Sequence, residues 1–232
     1  MWEDLKVYKQ LDKKDINLTF KKFGKALLPD LTDYSLDQTN SVIKLSRQIN
    51  QLEQAVFIEK SSGSYDLQVR TSIKPIDFYR RNKFTMLNIV PLGDIMNNYR
   101  GTFYPLTQEW NDLAIFLTAR IKNEIECYFK EFDSYEKIIR KRKEIEPKGL
   151  DFNNKYELLI YAALKTKDKC LLSFYLDKKM SRPTMQITIS EYLKLDNNEV
   201  NEGELLQNLK SLAATSDFAG IEEEIARAIK FE

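Results

Sequence analysis

Histidine is absent from all 232 residues, which removes the side chain most often used as a general base, a metal ligand or the partner of a nucleophilic serine or cysteine. Hydrolases built on Ser-His or Cys-His pairs are excluded with it, whereas enzymes that rely on carboxylates or lysine are not. Cysteine is nearly as scarce. Cys127 and Cys170 stand far apart in apolar, helix-like segments, which argues against a metal knuckle or a disulfide framework and predicts two small core residues. The seven glycines are scattered singly, and neither phosphate-cradling pattern, G-x-G-x-x-G or G-x-x-x-x-G-K, occurs. No apolar run approaches the ~18 residues that span a bilayer. The start, Met1-Trp2-Glu3-Asp4-Leu5, is acidic and lacks the basic-then-apolar order of a secretory leader, so a cytoplasmic location is expected.

A charge of one sign is also missing. Lys plus Arg number 36 against 35 Asp plus Glu, a net charge of +1, so no global field draws the chain toward a polyanion and a nucleic-acid role needs a local patch. Hydrophobic residues at 43% and charged residues at 31% place the chain among ordinary globular proteins. Its length suffices for one large domain or for a domain with an appendage.

Hydrophobic spacing supplies the layout. Ile16, Phe20, Phe23 and Leu27 recur at three and four, which predicts an amphipathic helix from Asp15 to Leu28, capped by Asp15 and stopped or bent by Pro29. Asp30 to Asn40 has the Asp, Thr, Ser and Asn content of a loop. A sheet follows: Ile43, Leu45 and Ile49 alternate with polar positions, and Ala55 to Ile58 is apolar. Ser61-Ser62-Gly63-Ser64 has the small residues of a reversal. Next, Tyr65, Leu67, Val69, Thr71 and Ile73 alternate without a break, one face for the core, while Asp66, Gln68, Arg70, Ser72 and Lys74 face water or a partner. Phe84 to Val90 predicts another strand, and Gly101 to Pro105 a loop or short edge strand.

The longest helix carries Trp110, Leu113, Leu117, Ile121, Ile125, Phe129 and Phe132 on one face, with Phe116 and Tyr128 widening it, and is expected to lie across the sheet. A short helix, Ile138 to Ile145, precedes the Glu146-Pro147-Lys148-Gly149 boundary. Beyond it come a helical pair, Tyr156 to Lys165 and Lys169 to Met180, a hinge at Arg182-Pro183, an extended Met185 to Ile189, and helices near Glu202 to Ala214 and Ile221 to Ile229. The expected fold class is α+β: an antiparallel meander sheet of about four or five strands covered by a long helix, with a helical C-terminal region. The expected division is 1–149 for the α+β domain and 150–232 for the helical region.

Candidate chemistry is sparse. Pro29-Asp30 and Glu146-Pro147-Lys148 match the letters of a metal-dependent nuclease motif but fall at a helix end and in a loop rather than on neighbouring strands. Glu124 and Glu126 point about 200° apart on a helix and share no face. Glu222, Glu223 and Glu224 are expected in the first turn of the last helix, where negative charge suits the helix dipole. Neither a catalytic residue, a metal ligand nor a cofactor-binding residue is assigned, and no cofactor is expected.

Binding surfaces are the stronger candidates. Arg80-Arg81-Asn82-Lys83, with Tyr79, Phe84, Tyr99 and Arg100 nearby, and Arg140-Lys141-Arg142-Lys143 are the basic runs that could meet phosphates, against the simpler reading of a solvated basic face. Phe103, Tyr104 and Trp110 form an aromatic segment suited to a protein interface, or to closing the sheet against the long helix. The candidate partner-binding residues are therefore Arg70, Arg80, Arg81, Arg100, Tyr104 and Trp110.

Taken together, the N-terminal helix Phe20 to Leu28, the hairpin Phe57-Ile58-Glu59-Lys60-Ser61-Ser62-Gly63-Ser64-Tyr65, the strand Leu67 to Pro75, the helix Trp110 to Phe132 and the pair at Tyr156 to Met180 resemble a bacterial group of domains of unknown function found beside toxin-immunity loci. The resemblance covers about two thirds of the chain on nonspecific motifs and carries over no catalytic residue. It implies a non-enzymatic, protein-binding role, such as an immunity protein that neutralises a toxin. The alternatives are a nucleic-acid-associated protein using Arg80, Arg81, Lys83 and Arg140 to Lys143, and a carboxylate-based metal-dependent enzyme. Another protein is the expected partner; no membrane role is expected.

Overall fold

A computed structural model describes residues 11–61, 66–76, 90–91, 103–145, 152–180 and 202–228. The fold is α+β and separates into two compact units, one drawn from Met1–Lys74 and Asn88–Asp133, the other from Pro75–Leu87 and Ser134–Glu232.

The first unit opens with α1 (Ile16–Leu27), whose predicted stripe Ile16, Phe20, Phe23 and Leu27 is buried. Asp15 stands at the cap position, yet its side chain caps nothing. Its backbone is already helical (φ −92°, ψ −14°), and its carbonyl accepts from Thr19 N at 2.8 Å. Pro29 lies in a single tight turn, Leu28–Asp30, that closes the helix.

Among the described residues six strands make one sheet: β1 (Ser35–Gln38), β2 (Val42–Ile49), β3 (Leu52–Lys60), β4 (Asp66–Pro75), β5 (Val90–Pro91) and β6 (Phe103–Pro105). β1 to β4 lie in chain order, and β5 and β6 both pair antiparallel with β4. β1 occupies part of the segment expected as a loop. Its ladder to β2, with Leu36 opposite Leu45 and Ser35 opposite Ser46, outweighs a turn-like composition. The β2–β3 reversal is Asn50-Gln51, both residues at positive φ (49° and 66°), the two-residue turn whose twist matches the strands. Tyr65 and the expected strand residues 84–89 lie outside the described residues, as do Glu146 to Gly149 and 182–189. Of Gly101 to Pro105, expected as a loop or short edge strand, Phe103–Pro105 form β6.

One face of the sheet holds Ile43, Leu45, Leu52, Val56, Ile58, Leu67, Val69 and Ile73, all buried. Burial of such side chains contributes about 1.5–3 kcal/mol each and holds the helical layer on the sheet. That layer contains α1 and a helix running without interruption from Trp110 to Glu131, in three parts: α2 (Trp110–Arg120), a π-helical turn (Ile121–Ile125) and α3 (Glu126–Glu131).

The sequence accounts for the wide turn. Leu113, Leu117, Ile121, Ile125 and Phe129 are spaced strictly by four, and each step of four in an α-helix overshoots a full turn by about 40°. Over four steps the stripe would rotate about 160° away from the sheet. A turn closed by i→i+5 bonds takes up one extra residue and returns the stripe to its face, so all five residues are buried.

The second unit is helical: α4 (Tyr135–Arg140), α5 (Arg142–Ile145), α6 (Phe152–Lys165), α7 (Lys169–Met180), α8 (Glu202–Thr215) and α9 (Phe218–Ala228). α4 packs on α6, α6 on α7, α7 on α8 and α8 on α9. Ile138, Leu159, Tyr175, Leu176 and Ala213 are buried among them, and the Tyr135 and Tyr161 rings meet edge-on at 5.7 Å. Ser134 caps α4, Asp168 caps α7 through Leu171 N at 3.0 Å, and Asp217 caps α9 through Gly220 N at 2.9 Å. Because α9 begins at Phe218, Glu222 to Glu224 lie past its first turn rather than within it. The α6–α7 link, Thr166 to Asp168, places Lys167 at φ 56°, with Asp168 N bonded to Ala163 O at 2.9 Å and Lys167 N to Leu164 O at 3.1 Å. That pattern recovers the last carbonyls of α6.

Among the described residues no helix is long and apolar enough to cross a membrane.

Candidate functional site

The face of β4 expected to meet water or a partner is half-buried, and Arg70 and Lys74 on it are engaged by glutamates of β3. Arg70 Nη2 lies 3.2 Å from Glu59 Oε2 and donates to Gln68 Oε1 at 2.7 Å. Glu53 Oε1 sits between two ammonium groups, Lys44 Nζ at 2.9 Å and Lys74 Nζ at 3.1 Å. Lys44 and Glu53 stand on either side of the Ser46–Ala55 row of the ladder, and the small side chains there leave room for the bridge to lie flat across the strands. Ala55 and Ser72 on this face are both buried, and the Ser72 hydroxyl has no hydrogen-bond partner among the described residues.

A polar network that hydrophobic periodicity does not disclose lies under the long helix. Arg47 Nη2 donates to Glu126 Oε2 at 2.7 Å, and Tyr34 Oη donates to the other oxygen, Oε1, at 2.6 Å. Arg47 Nε donates to Gln54 Oε1 at 3.0 Å, and the Gln54 amide reaches Phe129 O at 3.1 Å. The guanidinium also lies 4.8 Å from the centre of the Tyr34 ring. Burial holds the Tyr34 hydroxyl well above the usual tyrosine range, and its bond to Glu126 adds to the shift. Every charged member is matched, so the network fastens the helix to the sheet. The signal in the sequence was an arginine at an inward-facing position of β2, where alternation calls for an apolar residue.

Glu124 and Glu126 diverge as expected: Glu126 turns to Arg47, whereas Glu124 bonds Arg120 one turn back at 2.9 Å. Asp30 is exposed and lies 3.2 Å from Lys122 Nζ. Among the described residues no group of three or more Cys, Asp or Glu side chains is placed to hold a metal ion.

Of the candidate partner-binding residues, Arg70 lies on the sheet face just described. Tyr104, in β6, is only 4% exposed, and its ring packs 6.0 Å from that of Phe116, closing the sheet against the long helix. Trp110 opens α2 and is half-buried. Arg80, Arg81 and Arg100 lie outside the described residues, together with Tyr79, Lys83, Phe84 and Tyr99. In the second basic run Arg140 and Lys143 are exposed, while Arg142 Nη1 is turned back to Ile139 O at 3.0 Å across the break between α4 and α5.

Cys127 and Cys170, expected in the core, are both exposed. Each is in a helix, as predicted, but on its outer side. An apolar neighbourhood in sequence does not decide which face a single residue takes. Large apolar side chains also reach the surface: Leu18 of α1 is 56% exposed and Ile115 of α2 is 64% exposed.

Comparison with protein-family models, with curated proteins and with solved structures gives no match to this chain.

Proposed function

We propose that this chain is a cytoplasmic, non-enzymatic protein-interaction module of the immunity-like kind, which binds and neutralises a partner protein. The observation that carries the reading is the outward placement of Leu18 and Ile115 on α1 and α2, two helices that pack together, while Lys44, Arg70 and Lys74 of the sheet are taken up by Glu53 and Glu59. An isolated apolar side chain at the surface is ordinary. Two of them on adjoining helices, beside a sheet whose Lys44, Arg70 and Lys74 are engaged by its own glutamates, favour recognition over chemistry.

The test is capture of a partner from the native host with the tagged chain, followed by nuclease treatment and identification of what stays bound. The reading expects a stoichiometric protein complex that survives nuclease and weakens at least tenfold with Leu18→Asp or Ile115→Asp. The captured protein should arrest growth when expressed alone, and growth should return on co-expression. Bound material released by nuclease, and lost on Arg140→Ala with Lys143→Ala, would support the nucleic-acid alternative instead.

A further inference from the structure

The exposed residues of α1 form a single stripe. Leu18, Lys21, Lys22 and Lys25 follow the i, i+3, i+4, i+7 spacing of one helix face, and all four are exposed. The helix contains no acidic residue. Between Asp12 and Leu27 five lysines face two aspartates, so a chain with a net charge of only +1 concentrates three positive charges in one short segment. Lys14 is paired with Asp12 at 3.8 Å, whereas Lys21, Lys22 and Lys25 have no ion-pair partner among the described residues. Lys60, held 2.5 Å from Asn17 Oδ1, adds a cation beside the start of the helix.

We infer that this stripe docks an acidic protein surface that carries an apolar side chain to meet Leu18, an inference that rests on the protein-binding reading above. Complementary charge selects the occupant. Single-stranded nucleic acid calls for aromatics that stack on bases, but both aromatics of α1, Phe20 and Phe23, are fully buried. A membrane surface calls for several apolar side chains on the outer face, and α1 offers Leu18 alone. From Leu18 to Lys25 the stripe runs about 10 Å, close to two turns of a partner helix.

The probe is a labelled peptide of alternating glutamate and leucine turns, compared by fluorescence anisotropy with a double-stranded DNA and with phosphatidylserine/phosphatidylcholine vesicles. The wild-type chain is expected to bind the peptide in preference to DNA and vesicles. The triple variant Lys21→Glu, Lys22→Glu, Lys25→Glu, folded by circular dichroism, should bind it at least tenfold more weakly and should instead take up the matching lysine–leucine peptide. Leu18→Asp should weaken binding without that exchange of preference. Equal binding by wild type and triple variant, or stronger binding to DNA or vesicles, overturns the inference. A host protein captured equally well by both chains would also overturn it, while leaving the protein-binding reading in place. Absence of any captured host protein would count against that reading itself.

Discussion

Arg47 and Glu126, 79 residues apart in the chain, meet at 2.7 Å, strand to helix, with side-chain exposures of only 11% and 17%. The carboxylate belongs to the first residue after the π-helical turn, so its position depends on how that turn is wound. Both of its oxygens are used, one by Arg47 and one by Tyr34.

Removing one partner should cost more than removing both. Glu126→Leu strands the Arg47 guanidinium and the Tyr34 hydroxyl, and is expected to lower the stability of the first unit by about 3 kcal/mol. The double variant Arg47→Met, Glu126→Leu should recover most of that loss, since apolar replacements of similar volume often match a buried pair. Urea denaturation of the two variants checks this; equal losses for both would contradict it.

The π-helical turn makes a prediction about chain length. Deleting Asn123, an exposed residue of the turn, should convert it to regular α-helix and leave Leu117, Ile121 and Phe129 facing the sheet, at a cost under about 1 kcal/mol. Inserting one alanine after Asn123 rotates everything beyond it by about 100° and should unfold the unit, because Glu126 and Phe129 leave their partners. Circular dichroism and thermal melting distinguish the two outcomes.

In the second unit, Lys167 and Ser216 hold positive φ (56° and 61°) just past the ends of α6 and α8. Glycine adopts this conformation without steric cost, so Lys167→Gly and Ser216→Gly should each raise stability by about 0.5–1 kcal/mol. Lys167→Val should lower it, since a β-branched side chain resists that region. The midpoint of urea unfolding gives the sign directly.

Alkaline pH should unfold the first unit through its tyrosines. Burial raises the Tyr34 and Tyr128 hydroxyls above the ordinary tyrosine value, helped by Glu126 and Glu131 respectively. In the unfolded chain both ionise near pH 10. Above that pH the unfolded state binds fewer protons than the native one, and stability falls as pH rises. Their contribution is complete below about pH 10 and is lost through the alkaline range. Absorbance at the tyrosinate band should show Tyr34 and Tyr128 titrating only as the native circular dichroism disappears.

Periodicity made most of the architecture legible. The stripes of α1 and of the long helix, and the alternation of β4, are determined by many apolar residues acting together, and the burial of Phe20, Leu67 and Ile121 follows from their spacing. Features resting on one or two residues were harder to read. β1 is a strand because of what lies beside it, and Asp15 fails as a cap because the backbone there has already turned helical. The strict spacing by four between Leu113 and Phe129 was visible, but its consequence for the winding of the helix was not. Arg47 and Glu126 could not be joined from sequence, since nothing local relates residues so far apart. The partner-binding candidates divide the same way: Arg70 was placed on the correct face of β4, but its engagement with Glu59 depends on the neighbouring strand.

The rims of the sheet bear on how the protein behaves in concentrated solution. One rim is β1, four residues long with Asp37 in it; on the opposite side of the sheet Pro91 and Pro105 lie against Arg70 and Asp66 of β4. A short, charged rim strand on one side, and prolines with no N–H to donate on the other, give an incoming strand little to align with. Strand-by-strand filament growth is thereby discouraged at β1.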